Sequence, residues 1–174
     1  MSTKIVCFGN SLTYGYLVNK GYIDFLKERL QNIDFINEGI PGDTALDGLR
    51  RVEYSVLKHN PDITIVVFAV NDAFSGFTVN EFEKNYLKIL DKIPNKKIVM
   101  IPHKLRDKFD QKIVKPFYEK LKYIANKKNL PVIDVSKSQL NSYQLLADGL
   151  HPNEEGYKVY ANIAFNVIQK ICYE

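Results

Sequence analysis

Only two of the 174 residues are cysteine, Cys7 and Cys172. They give no disulfide framework and none of the CxxC spacing of a metal site. Long hydrophobic runs are missing too. The longest, Ile63 to Val70, is interrupted by Thr64 and falls far short of the ~20 residues that span a bilayer. Neither sign of charge dominates: 24 Lys and Arg face 20 Asp and Glu, a net +4. The lysines are scattered through Lys27, Lys58, Lys84, Lys96, Lys120 and Lys158 rather than gathered into a stripe, so nucleic-acid binding is not indicated. No linker, repeat or low-complexity segment interrupts the chain, and the first strand pattern leaves no room for a leader before Lys4, which predicts a cytoplasmic protein. What remains is 45% hydrophobic and 25% charged, ordinary proportions that exclude disorder and predict one globular domain over residues 1–174.

Short β-branched runs alternate with amphipathic stretches. The predicted strands are Ile5–Phe8, Ile33–Ile36, Ile63–Phe68, Ile98–Ile101 and Val132–Val135, and the central ones are continuously apolar, as strands covered on both faces are. Helical stripes lie between them: Leu46, Leu49, Val52 and Val56; Val79, Phe82, Tyr86 and Ile89; Val114, Phe117, Leu121 and Ile124, where Pro116 is expected to begin or kink the helix; and Tyr157, Tyr160, Ala161, Ala164 and Ile168. This alternation predicts an α/β fold, a three-layer α/β/α doubly wound sandwich of the flavodoxin-like kind with about five parallel strands.

Open parallel sheets bind ligands at the carboxyl ends of their strands. Gly9-Asn10-Ser11-Leu12-Thr13 leaves the first strand, Gly39-Ile40-Pro41-Gly42-Asp43-Thr44 the second, and Asn71-Asp72 the third; Asp148-Gly149-Leu150-His151 follows the fifth. These are the parts of an acyl-transfer site: a serine nucleophile, oxyanion donors, a histidine base and an orienting carboxylate. Each also has a plainer use. Ser11 can cap a helix, Gly42 can close a turn after Pro41, Asn71 can form an Asx turn, and Asp148 can cap a turn while Asn153 caps the last helix. Their joint occurrence on one edge favours the chemical reading. His59 precedes the third strand and is assigned to the opposite edge. His103, after the fourth, is on the right edge and is a candidate substrate contact.

The set resembles the SGNH hydrolase (GDSL esterase/lipase) family over essentially the whole chain. Gly9-Asn10-Ser11-Leu12-Thr13 is similar to the family block that carries the nucleophile, Gly42-Asp43-Thr44 to the block whose glycine gives an oxyanion N–H, Asn71-Asp72 to the block whose asparagine gives an oxyanion amide, and Asp148-Gly149-Leu150-His151 to the block with the other triad members. The resemblance implies a catalytic triad of Ser11, His151 and Asp148, an oxyanion hole of Ser11, Gly42 and Asn71, and no metal or organic cofactor. Two positions depart from the family pattern. Asn10 stands where an aspartate is usual, which removes one local charge. Ala69 stands where a glycine is usual and is expected to narrow the oxyanion site by a methyl.

The expected activity is hydrolysis of small-molecule carboxylic esters. Tyr14, Phe74 and His103 are the candidate substrate contacts. Tyr16 and Phe77 join the two aromatics as pocket candidates, with ordinary core packing the plainer use of all four. Lys104, Arg106 and Lys108 offer charge to a carboxylate or phosphate, with a solvated loop the plainer reading. No segment between the motifs is long enough to form a lid, which predicts an open groove and short acyl groups. The rival reading is a noncatalytic flavodoxin-like module whose Ser11–Thr13 loop cradles a phosphate or another ligand; it leaves Asp148 and His151 without a joint use.

Overall fold

In a computed structural model that describes residues 2–140 and 144–173, five strands form one fully parallel sheet: β1 (Thr3–Gly9), β2 (Ile33–Gly39), β3 (Ile63–Val67), β4 (Lys96–Ile101) and β5 (Val132–Asp134). Their order is β2-β1-β3-β4-β5, so the chain reverses its winding between β1 and β3, where a doubly wound sheet opens its binding crevice. Register is set by pairs such as Phe8 with Glu38 and Phe8 with Val66.

Alternation along the strands sends side chains into two cores. Val6, Phe8, Val66, Val99 and Ile101 pack on one face under α3 (Ala45–Ser55), α5 (Val79–Lys92) and α6 (Lys108–Lys127). Ile5, Cys7, Ile65, Val67, Ile98 and Met100 pack on the other under α2 (Tyr22–Arg29) and α7 (Glu154–Tyr173). The three-layer α/β/α expectation holds. Two short helices, α1 (Ser11–Tyr14) and α4 (Val70–Phe74), leave the ends of β1 and β3.

Three details depart from the sequence reading. The buried residues of α3 are Ala45, Gly48, Val52 and Ser55; of the expected stripe Val52 and Val56 are buried and Leu49 packs at the core's edge, but Leu46 gives way to the small residues. A Cβ on Gly48 would collide with the Phe68 ring, so the small residues turn inward and let helix and strand approach closely. Pro116 neither begins nor ends α6: that helix starts at Lys108, where the Asp107 side chain accepts the N–H groups of Phe109 and Asp110 at 2.8 and 3.0 Å. A strong cap and a long apolar face outweigh the one hydrogen bond that proline removes. The helical stripes of the sequence do not include α2, a short helix whose buried face is Tyr22, Ile23 and Leu26.

Candidate active site

The chain turns at Asn10, which is extended (φ −105, ψ −151) and whose side chain accepts the Leu12 N–H at 3.1 Å. That cap makes Ser11 the first residue of α1, with a backbone N–H that has no partner inside the helix. The helix can sit this low because Gly9 and Gly39 carry no side chain: a Cβ at either would strike Thr13 or the Tyr14 backbone.

Facing it, residues 148–151 form a tight turn closed by their own carboxylate. Asp148 Oδ1 accepts the N–H groups of Leu150 (2.9 Å) and His151 (2.7 Å), and its Oδ2 lies 2.7 Å from His151 Nδ1. Burial works to raise the Asp148 pKa, but these bonds outweigh it and hold the carboxyl below its ordinary value. With Nδ1 held, His151 presents Nε2 to the Ser11 hydroxyl at 3.0 Å. The turn-capping use of Asp148 and its orienting use are therefore one arrangement. Asn153 separately caps α7 by accepting the Gly156 N–H at 3.0 Å.

The oxyanion side is framed differently. Gly42 has φ 88, a conformation that L side chains rarely adopt, and nothing lies within 4 Å of the place a Cβ would occupy, so its requirement for glycine is conformational. Asn71 donates one amide hydrogen to the Asp43 carbonyl at 2.9 Å, which leaves the other available to a ligand. Arg51, only 15% exposed, ties the frame together. Its Nε donates to Asp43 at 2.6 Å, one terminal nitrogen donates to the Glu38 carbonyl and Ser55 hydroxyl, and the other donates to the Gly9 carbonyl at 2.9 Å. One guanidinium thus joins the ends of β1 and β2 to the loop that carries Gly42.

Beneath Asn71, Asp72 is fully buried and accepts the Ala45 N–H at 2.9 Å, linking the starts of α4 and α3. Burial pushes its carboxyl up to about 6. Ala69, the residue expected to narrow the oxyanion site, is itself fully buried and adopts φ 134, ψ −43. The consequence of its methyl is backbone strain below the site.

Ser11, Asp148, His151, Gly42 and Asn71 all fall on the edge the sequence assigned to them. Tyr14 and Phe74 lie exposed on the surface (55% and 44%). His103 does not fit its candidate role. It is completely buried, with Nδ1 at 2.8 Å from the Tyr160 hydroxyl and Nε2 at 3.0 Å from the Leu150 carbonyl. Burial lowers its pKa to about 4, so it is a neutral strut under the 148–151 turn and has no nitrogen to offer substrate. Arg106, read as loop, packs beside that turn, its guanidinium carbon 3.8 Å from where a Cβ on Gly149 would stand. His59 is bonded to Glu38 at 2.8 Å and lies outside the site. Arg51 escaped the sequence reading altogether. Its one signal was a second arginine beside Val52 on a helix whose apolar stripe faces the sheet.

A model of the GDSL-like lipase/acylhydrolase family matches residues 7–159. An arylesterase of Vibrio mimicus is 25% identical over 164 residues, covering 88% of this chain and 82% of the relative. Thioesterase 1/protease 1/lysophospholipase L1 of Escherichia coli is 23% identical over 165 residues, covering 91% of this chain and 79% of its own length. Among solved structures, a lipase/acylhydrolase from Enterococcus faecalis superposes with a TM-score of 0.87 at 31% identity, over 97% of this chain and 96% of that one.

Proposed function

The chain belongs to the GDSL-like lipase/acylhydrolase family and is a serine carboxylic ester hydrolase; from that premise we propose that Ser11, His151 and Asp148 are its catalytic triad. As the Ser11 oxygen bonds to the ester carbonyl carbon, its proton passes to His151 Nε2. The carbonyl oxygen becomes an oxyanion held by the N–H groups of Ser11 and Gly42 and the free amide hydrogen of Asn71. Collapse breaks the bond to the alcohol, which leaves with the proton from His151. Water then gives a proton to His151 and attacks the acyl-serine, and the acid departs as the proton returns to Ser11.

The observation that carries this reading is the unbroken hydrogen-bond line from the Ser11 hydroxyl through His151 to Asp148, at 3.0 and 2.7 Å. A phosphate- or flavin-binding module has no use for it. We further propose that the acyl groups taken are short.

A fluorophosphonate reagent tests the triad. It should phosphonylate Ser11 once, seen by intact mass, and abolish hydrolysis of p-nitrophenyl acetate. Ser11→Ala and His151→Ala should each lose on the order of 10³-fold or more in kcat with an unchanged circular dichroism spectrum. Asn71→Ala should lose roughly 10²–10³-fold in kcat with a smaller effect on KM. Turnover near that of the wild type in either triad variant would overturn the assignment.

A further inference from the structure

An open cleft of about 650 Å³ reaches the neighbourhood of the triad through Tyr16, and its volume is within the range of ligand-binding pockets, roughly 300–1,000 Å³. Its walls are the last residue of α1, Tyr14, the chain that follows it, including Tyr16, Leu17 and Asn19, and the start of α7 at Glu154 and Glu155. Tyr16 joins the cleft to the triad, because its ring centroid stands 4.9 Å from that of His151 with the planes tilted by 58°. The backbone holds it there through two left-handed residues, Gly15 at φ 85 and Leu17 at φ 65. A bulky residue in that conformation is costly, so the surrounding structure holds the turn in place.

Which half of an ester this space receives follows from proton transfer. The leaving oxygen must reach His151 Nε2 to take its proton, whereas the carbonyl oxygen must point toward Gly42 and Asn71. Space on the His151 side therefore belongs to the alcohol. The chemistry of the walls narrows the class of alcohol. Tyr14 and Tyr16, 55% and 40% exposed, offer ring faces. Glu155 is paired with Lys158 at 2.6 Å and Lys20 with Glu28 at 2.6 Å. Glu154 makes no ion pair among the described residues, although the Lys20 ammonium is within its electrostatic reach, so Lys20, Glu28, Glu154, Glu155 and Lys158 together carry one net negative charge. The α7 N-terminus, otherwise attractive to an anion, already holds these two glutamates in its first turn.

We propose that this cleft is the subsite for the alcohol half of the ester, and that it takes a bulky, ring-bearing alcohol without negative charge. The inference rests on the ester-hydrolase reading above. It makes the two ends of the substrate unequal: a short acyl group on the oxyanion side and a ring on the histidine side.

Four acetates of primary alcohols, whose leaving groups are chemically alike, provide the test: ethyl acetate, benzyl acetate, the carboxylate-bearing analogue of benzyl acetate, and a methyl glucoside acetylated at its primary hydroxyl. For the wild-type protein, kcat/KM for at least one uncharged ring ester should exceed that for ethyl acetate by about tenfold, the size of one good aromatic contact. Whichever of benzyl and glucosyl is favoured identifies the ring as apolar or hydroxylated. The carboxylate analogue should fall several-fold below benzyl acetate. Tyr14→Ala should bring the ratio of ring ester to ethyl ester toward one, and Glu154→Gln should shrink the discrimination against the carboxylate. Equal kcat/KM for ethyl and both uncharged ring esters, or ratios that neither variant moves, would overturn the subsite while leaving the hydrolase intact. Failure to hydrolyse any of the four would overturn the subsite, and with Ser11 also unlabelled by fluorophosphonate it would overturn the hydrolase reading itself.

Discussion

Two single residues under the oxyanion side are held in unfavourable circumstances. Ala69 sits at φ 134 with no exposure, in a region that only glycine enters freely. Strain of this kind costs on the order of 1–3 kcal/mol. Replacing Ala69 by glycine removes it but gives up a buried methyl and admits more freedom to the unfolded chain, each about 0.5–1 kcal/mol. With the strain at the upper end of its range, Ala69→Gly should raise Tm by a few degrees in a thermal melt; a drop of several degrees would show the backbone there to be relaxed. Asp72 carries the second cost. Its ordinary value is 3.8 and burial raises it to about 6 in the fold. Between those two values the folded state keeps a proton that the unfolded state has lost. The stability that comes from holding the proton is thus fully present at low pH and is lost as pH rises through about 6. Asp148, held below its ordinary value, acts in the opposite sense, and its contribution is lost only in more acid solution. The Tm of Asp72→Asn minus that of the wild type should therefore grow between pH 4.5 and 7.5, whatever its absolute offset. A difference independent of pH would mean that Asp72 titrates as an exposed carboxylate does.

At the scale of elements, catalytic geometry depends on how the starts of α1, α3 and α4 and the turn before α7 are joined. Gly9 lies two residues before Ser11, and its carbonyl accepts both the Ile40 N–H at 3.0 Å and Arg51 at 2.9 Å. The same guanidinium holds Asp43, whose carbonyl in turn holds Asn71. Arg51 is thus a positioning residue. It sets the spacing between the Ser11 end of β1 and the loop that bears Gly42 without reaching the reacting atoms. Arg51→Met keeps much of the packing on Phe8 and removes every one of these bonds. A displacement of about 1 Å costs up to 10²-fold in rate, so kcat should fall by roughly 10- to 10²-fold with KM changed far less. A variant whose KM rises while kcat holds would place Arg51 in ground-state binding instead. Across the site, His103 performs the matching task for the 148–151 turn through the Leu150 carbonyl, with Tyr160 and Tyr118 bonded to His103 behind it. A histidine kept neutral by burial suits that task, since the strut does not change charge near neutral pH.

For the molecule as a whole, the site is a rim where two cores meet above one sheet edge. Ile40 and Phe74 stand 43% and 44% exposed rather than buried in a tunnel. A groove of this kind removes few methylenes from water, each contributing about 0.8 kcal/mol at best. Along a series of p-nitrophenyl esters, kcat/KM should therefore peak between acetyl and about hexanoyl and fall for longer chains. A maximum at palmitoyl would require Phe74 and Phe77 to enclose a deep channel. No described helix is long and apolar enough to cross a membrane.

Much of this was legible in local pattern. Five apolar runs, the helical stripes between them and the polar residues that leave each strand follow from periodicity and chain order, which is why Ser11, Gly42, Asn71, Asp148 and His151 could be placed on one edge before any coordinates. The Asp148–His151 turn was readable because its bonds join residues three apart. What escaped depends on distance in sequence. Arg51 reaches a carbonyl 42 residues away, and His103 supports one 47 residues on; a side chain at the right edge can point at substrate or into the protein, and only packing decides which. Helix α3 turned its glycine inward because Phe68 needed the room. Ala69 strains the backbone rather than filling a pocket, because its neighbours in space hold it at φ 134. Covalent pattern and period determine which segments form and which end of the sheet they share, because those are local preferences. The aim of a buried polar side chain is decided by the tertiary structure, because the partner that satisfies it comes from a distant part of the chain.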